Sequence, residues 1–310
     1  MNNRNPIVTV LMPVYNGEKY LADAIESILN QTYNNFEFII IDDCSTDNSL
    51  RVICSYLDDR IRLIKNKSNI GQSSTMNKGI KLSKGKYIVR LDQDDLADLK
   101  RLEKQVQFIC RTNSSIVGSW SQIIDQNGNI NGYIQHPVDP SDILNSLCIN
   151  VPFLHSSVIM DKEAILAIGC YSEEYLIAMD WHLWIKAAKH GLIINNIPEV
   201  LVSFRRHAMQ TTLNKKMMEI SCKENIRLLK LSRKLLNNRS YFKASMAWEY
   251  HNRLKLDLQY FKNDNKIKPL MGKFFNLTGL FEYIKLVFFY KIINRPKYLY
   301  TPPYVYLKAC

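Results

Sequence analysis

Residues 87–95 read Tyr87-Ile-Val-Arg-Leu-Asp-Gln-Asp-Asp95. Tyr87–Leu91 is a short, mostly apolar run, and it predicts a strand. That strand leads straight into three carboxylates within four residues. Neighbouring like charges repel, and neither a helix nor a strand gains stability from them. In an extended chain alternate side chains point the same way, so Asp92 and Asp94 can converge. Converging carboxylates suit a hard divalent cation such as magnesium or manganese, which can bridge to a diphosphate. The competing reading is a solvated acidic loop in which Asp94 or Asp95 caps a helix starting at Leu96.

Upstream the same pattern repeats. Ile7–Met12 is an apolar, β-branched run that stops at Pro13, and Phe36–Ile41 is a second such run ending at Asp42-Asp43. Arg62–Ile64 predicts a weaker strand. Between these runs, Leu21, Ala24, Ile25, Ile28 and Leu29 recur at helical spacing over 18–30, and Met76, Ile80 and Leu82 do so over 72–83. Ser45-Thr46-Asp47 offers cap chemistry for a helix after the second strand. The order is therefore β-α-β-α-β-α-β, which predicts a parallel sheet covered on both faces. Ligands of such sheets sit at the carboxyl ends of the strands, where Pro13–Asn16, Asp42-Asp43 and Asp92–Asp95 fall. No G-x-G-x-x-G follows the first strand and no P-loop motif occurs, so dinucleotide-binding and P-loop readings are disfavoured.

After residue 115 the alternation fades. Ile116–Gly118, Ser156–Met160 and Glu199–Phe204 predict strands, with a hairpin turn at Asp125–Gly128. Asp161 caps a predicted helix, and residues 180–190 predict another, closed by Gly191. From 215 onward the chain reads helical and basic.

The 310 residues are 46% hydrophobic and 23% charged, a soluble globular balance that excludes collagen-like, coiled-coil and wholly disordered chains. Residues 1–204 hold 19 Lys and Arg against 23 Asp and Glu, whereas residues 205–310 hold 22 against 6. The basic end points to an anionic partner. Phe274, Leu277, Phe281, Ile284, Phe288 and Ile292 recur there at helical spacing among lysines and tyrosines. That pattern reads as an interfacial segment on an anionic bilayer, or else as a helix packed on the rest of the chain. No nucleic-acid-binding module is visible, so no nucleic acid partner is expected. Seven scattered cysteines without a C-x-x-C pair read as reduced thiols in a cytoplasmic protein. No signal-peptide stretch opens the sequence, and no apolar run approaches the ~18 residues of a membrane span.

Several segments together resemble family 2 glycosyltransferases. They are Thr9-Val-Leu-Met-Pro-Val-Tyr-Asn-Gly17, Ser27-Ile-Leu-Asn-Gln-Thr-Tyr33, Phe38-Ile-Ile-Ile-Asp-Asp-Cys-Ser-Thr-Asp47, Asn69-Ile-Gly71, Asn77-Lys-Gly79 and Asp92-Gln-Asp-Asp95. His155-Ser-Ser-Val158, Asp180-Trp-His-Leu-Trp184 and Phe204-Arg-Arg-His-Ala-Met-Gln210 continue the likeness to about residue 210. The resemblance implies an α/β GT-A catalytic domain over 1–214, with 215–310 a helical basic extension. It implies a nucleotide-sugar donor, usually a UDP-sugar, and a divalent cation, manganese or magnesium. Carried over residue by residue, Pro13, Tyr15 and Asp43 would hold the base. Asp92 and Asp94 would face the nucleotide, with Asp94, Asp95 and His207 at the metal, although the spacing leaves open which aspartate is the direct ligand. Asp180 would be the catalytic base of an inverting transfer, with His155 and Trp181 on the acceptor side. Two positions depart from the family pattern: Met179 stands where many relatives carry Glu, and Cys44 where many carry Gly. The implied acceptor is a glycan or a lipid-linked saccharide in surface polysaccharide synthesis, such as lipopolysaccharide or O-antigen. The implied setting is peripheral, at the inner face of the cytoplasmic membrane. The rival from another class is a non-catalytic nucleotide-sugar or nucleic-acid binder, which would not need Asp180.

Overall fold

The computed structural model describes residues 7–147, 150–210, 215–233 and the pair 304–305. The first half follows the expected order: β1 (Val8–Val14), α1 (Leu21–Leu29), β2 (Phe36–Asp42), α2 (Ser49–Cys54), β3 (Ile61–Lys65), α3 (Gln72–Leu82) and β4 (Tyr87–Arg90). β1 pairs in parallel with β2 on one side and β4 on the other, and β2 pairs in parallel with β3. Successive strand residues point to opposite faces, and here the two faces feed two separate cores. Val8, Val10, Met12, Phe36, Phe38, Ile40 and Val89 join the apolar stripe of α1. Leu11, Ile39, Ile41 and Ile88 face Met76 and Ile80 of α3. Helix α3 lies close to β1, because a Cβ on Gly79 would come within 2.3 Å of Leu11 Cδ1.

The second half comprises β5 (Leu96–Ala97), α4 (Arg101–Thr112), β6 (Ile116–Ile124), β7 (Ile130–Gln135), α5 (Pro140–Leu147), β8 (Ile159–Asp161), α6 (Lys162–Ala167), α7 (Met179–Lys189), β9 (Ile194–Arg205), α8 (Lys215–Arg233) and β10 (Tyr304–Val305). Among the described residues the sheet runs β10-β7-β6-β8-β4-β1-β2-β3, with β9 alongside β6 and β5 on β9. The turn at Asp125–Gly128 joins β6 to β7, and the Asp161 carboxylate accepts the Ala164 N–H at 2.9 Å to cap α6.

Three expectations are corrected. No helix starts at Leu96: residues 96–97 pair antiparallel with Ser203 and Val202, and α4 begins at Arg101. Residues 155–157 form a single 3₁₀ turn before β8, because the Ser157 hydroxyl bonds locally to the Leu154 carbonyl at 2.8 Å. β9 is twice the expected length and crosses a register shift between its partners Ser119 and Trp120. Pro198 lies there and has no N–H to give the ladder, so the chain bulges past it. Leu228 and Leu229 of α8 are buried in the same core as α7.

The amphipathic segment expected beyond residue 233 lies outside the described residues. Among those described, no helix is long and apolar enough to cross a membrane.

Candidate active site

The carboxyl ends of β1, β2 and β4 lie side by side. The Asp43 N–H bonds to the Val14 carbonyl at 2.7 Å and joins the first two ends. Its carboxylate gathers the segment leading into α3: Oδ1 accepts Asn66 Nδ2 at 2.8 Å and the Ile70 N–H at 3.0 Å, and Oδ2 accepts the Gly71 N–H at 2.9 Å. Gly71 takes φ +82° there, a backbone conformation that favours glycine. A carboxylate offers about four lone-pair sites, so one site on Oδ2 remains for a ligand. Tyr15 is 47% exposed. Its peptide is held by Gln93, which accepts its N–H at 2.8 Å and donates to its carbonyl at 3.1 Å. Pro13 is buried inside β1, opposite Ile41, and offers no surface to a base. The strand runs two residues further than expected, so the turn starts at Tyr15.

Each aspartate of the acidic cluster has a different environment. Arg90, fully buried, grips both oxygens of Asp92. Ser156 Oγ donates to Asp92 Oδ2 at 3.2 Å and accepts the Asp92 N–H at 2.9 Å. Asp94 Oδ2 lies 2.9 Å from His207 Nε2, and the Asp94 carbonyl accepts Arg205 Nε at 3.0 Å. The His207 ring rests 4.7 Å from the Tyr20 ring. Asp95 is completely buried; Oδ1 accepts the Arg205 N–H at 2.9 Å, while Oδ2 has no hydrogen-bond partner. Burial raises the carboxyl pKa values of Asp94 and Asp95, and the neighbouring aspartates raise them further. One ligand atom from each of the three aspartates falls within 4.8 Å of the others. Crowded carboxylates with raised pKa values and an orphaned buried oxygen fit a hard divalent cation, whose charge would relieve the repulsion.

Asp180 lies in the first turn of α7, half-buried, with Oδ1 accepting the Trp181 N–H at 2.7 Å. Burial pushes its carboxyl up to about 6, while the Arg90 guanidinium pulls it back and Asp92 pushes it further. Ala178 holds the cap position of α7, and no side chain caps the helix there. Asp180 is therefore not the cap. The segment before α7 is tied to α3: Asn77 exchanges two hydrogen bonds of 2.9 Å with the Tyr171 backbone, and Ser73 Oγ donates to the Tyr175 carbonyl at 3.2 Å.

Two residues expected on the acceptor side face inward. Trp181 is 1% exposed, and its indole N–H donates to the Leu147 carbonyl at 2.9 Å. It is a core residue with no face free for a sugar. His155 is buried with Nε2 2.8 Å from the Tyr171 hydroxyl, and burial holds its pKa well below the usual imidazole value.

The sequence profile described as Glycosyl transferase family 2 matches residues 9–169. An uncharacterized glycosyltransferase of Haemophilus influenzae is 33% identical over 219 residues, covering 67% of this chain and 68% of its own. The chain belongs to glycosyl transferase family 2. Two solved structures show the shared GT-A fold of this glycosyltransferase. Residues 1–349 of Staphylococcus aureus TarS, in complex with UDP-GlcNAc, superimpose with a TM-score of 0.63 at 18% identity, covering 84% of this chain and 77% of that one. The mannosyltransferase PcManGT of Pyrobaculum calidifontis, in complex with GDP-Man and Mn2+, gives 0.58 at 16% identity, covering 94% and 84%.

The glycosyltransferase site also contains residues to which the sequence assigns no role: Arg90, Ser156 and Arg205. Arg90 had a visible signal, a lone charge in an otherwise apolar run, at the end of β4. The others announce themselves only through distant partners.

Proposed function

We propose that this glycosyltransferase moves a sugar from a nucleotide-sugar to a hydroxyl of a glycan or lipid-linked saccharide, with inversion at the anomeric carbon. The observation that carries the reading is a pair of unlike carboxylate sites. Crowded aspartates with His207 stand at the end of β4, and a single aspartate with a raised pKa stands at the start of α7. Asp43 and Tyr15 would border the base. Asp94 and His207 would hold a divalent cation, manganese or magnesium, with Asp95 beneath them and Asp92 kept in place by Arg90. Such a cation supplies positive charge against the departing diphosphate. Asp180 takes the proton of the acceptor hydroxyl. That oxygen bonds to the anomeric carbon on the face opposite the diphosphate, and the bond from that carbon to the diphosphate oxygen breaks. A carboxyl near 6 is mostly ionised at neutral pH and is basic enough to accept the proton.

A UDP-sugar is the favoured donor, in line with the UDP-GlcNAc bound to TarS. The basic region beyond residue 204 would bring the enzyme to the anionic inner face of the cytoplasmic membrane, a binding that added salt should weaken. The test of the donor site is thermal. UDP should raise the melting temperature with manganese and much less with EDTA, and Asp94→Ala should abolish the difference. The reading fails if neither UDP nor any other nucleoside diphosphate gives a metal-dependent shift.

A further inference from the structure

Glu224 stands out among residues outside the site. It lies on α8, yet both of its oxygens are directed at the segment before α7. Oε1 accepts the Leu176 N–H at 2.7 Å, and Oε2 accepts the Ile177 and Ala178 N–H groups at 3.0 and 2.8 Å. Three successive N–H groups converging on one anion form a nest, a geometry in which the backbone conformation is fixed by the charge it surrounds. The last of these N–H groups belongs to Ala178, two residues before Asp180.

Attachment of α8 does not depend on this contact. Leu228 and Leu229 are buried in the core, and Arg227 pairs with Glu174 at 2.8 Å while lying 5.1 Å over the Tyr175 ring. Glu224 takes the N–H groups of the cap residue Ala178 and of the two residues before it, all ahead of the first turn of α7. α3 ties the same segment through Ser73 and Asn77, so the approach to α7 is anchored by two helices.

We propose that Glu224 is a positioning residue for the transfer reaction: its carboxylate fixes the 176–178 backbone and thereby the reach of the Asp180 carboxylate toward the acceptor hydroxyl. The inference rests on Asp180 being the base. It makes α8 part of the catalytic machinery, through Glu224, and more than a link to the basic region that follows.

The test is steady-state kinetics of the full chain with the UDP-sugar that gives the largest manganese-dependent thermal shift. Misplacing a reacting group by about 1 Å costs up to about 100-fold, so Glu224→Ala should lower kcat by roughly 10- to 100-fold. Donor KM and the manganese-dependent UDP shift should stay as in the parent, because no donor-end residue touches Glu224. Glu224→Gln keeps an acceptor oxygen and should recover part of the loss; it also carries the comparison if Glu224→Ala does not fold. In an Asp180→Asn background, Glu224→Ala should cost nothing more. An equal loss of kcat in both backgrounds, or a rise in donor KM with kcat unchanged, overturns the positioning role. If Asp180→Asn alone keeps its turnover, the base assignment itself has failed and this inference falls with it.

Discussion

The carboxylates at the end of β4 and the one at the start of α7 are held in opposite ways. Asp92 is gripped by Arg90, and Arg205 and His207 contact Asp94. Arg90 compensates Asp92, whereas burial and crowding raise the pKa values of Asp94 and Asp95, a repulsion that a bound divalent cation would relieve, so this end is suited to holding a charge. Among the described residues no cation pairs with Asp180, and its contact is one backbone N–H. Its charge is uncompensated, its pKa is raised, and it is placed to take up a proton and release it. The same side chain thus serves two purposes, and the surroundings decide which.

The sharpest way to break this comparison is to remove a compensated charge. Asp92→Ala would leave the buried Arg90 guanidinium without its carboxylate, which should cost about 3 kcal/mol of unfolding free energy in denaturant titrations. A loss below about 1 kcal/mol would mean that the pair compensates nothing. Removing the uncompensated charge should do the reverse. Asp180 is lifted from 3.8 to about 6 in the folded chain. Its ionised form therefore destabilises the fold, fully above about pH 6 and not at all below about pH 4. Asp180→Asn should be more stable than the parent by about 3 kcal/mol at pH 7.5, and the two should converge near pH 4. The same ionisation predicts that kcat falls about tenfold per pH unit on the acid side of about pH 6. The smallest effect belongs to Asp94→Asn. Its bond to His207 is partly exposed, so stability without nucleotide should change by no more than about 1 kcal/mol. The manganese-dependent UDP shift should nevertheless disappear, which separates holding a ligand from holding the fold.

The donor half was legible because its signals are local. β1, β2 and β4 are short apolar runs, their polar ends follow within one or two residues, and alternation assigns each side chain to a layer. The acceptor half was less so. β5 is two residues long and exists only because Ser203 and Val202 lie beside it. Trp181 was expected on the acceptor side only because it follows Asp180 in sequence, whereas its indole N–H bonds to the Leu147 carbonyl inside the core. Glu224 looks like any exposed acid on a basic helix, since nothing near it in sequence shows that three N–H groups converge on it. The Met179 departure raised doubt about Asp180 from sequence alone. In the fold, Met179 Sδ lies 2.9 Å from Ser73 Oγ, which places that side chain against α3 and leaves Asp180 to its own environment.

The central claim is that the two ends divide binding from proton transfer, and one variant tests it directly. Asp180→Asn keeps the shape and the bond to the Trp181 N–H but removes the proposed base. Metal-dependent UDP binding and sugar transfer should be measured on the same preparation. Binding should be unchanged while turnover falls by ~10²–10⁴-fold, the range for loss of a general base. Retention of more than about a tenth of parental turnover, well short of that range, or loss of UDP binding together with activity, would contradict the account.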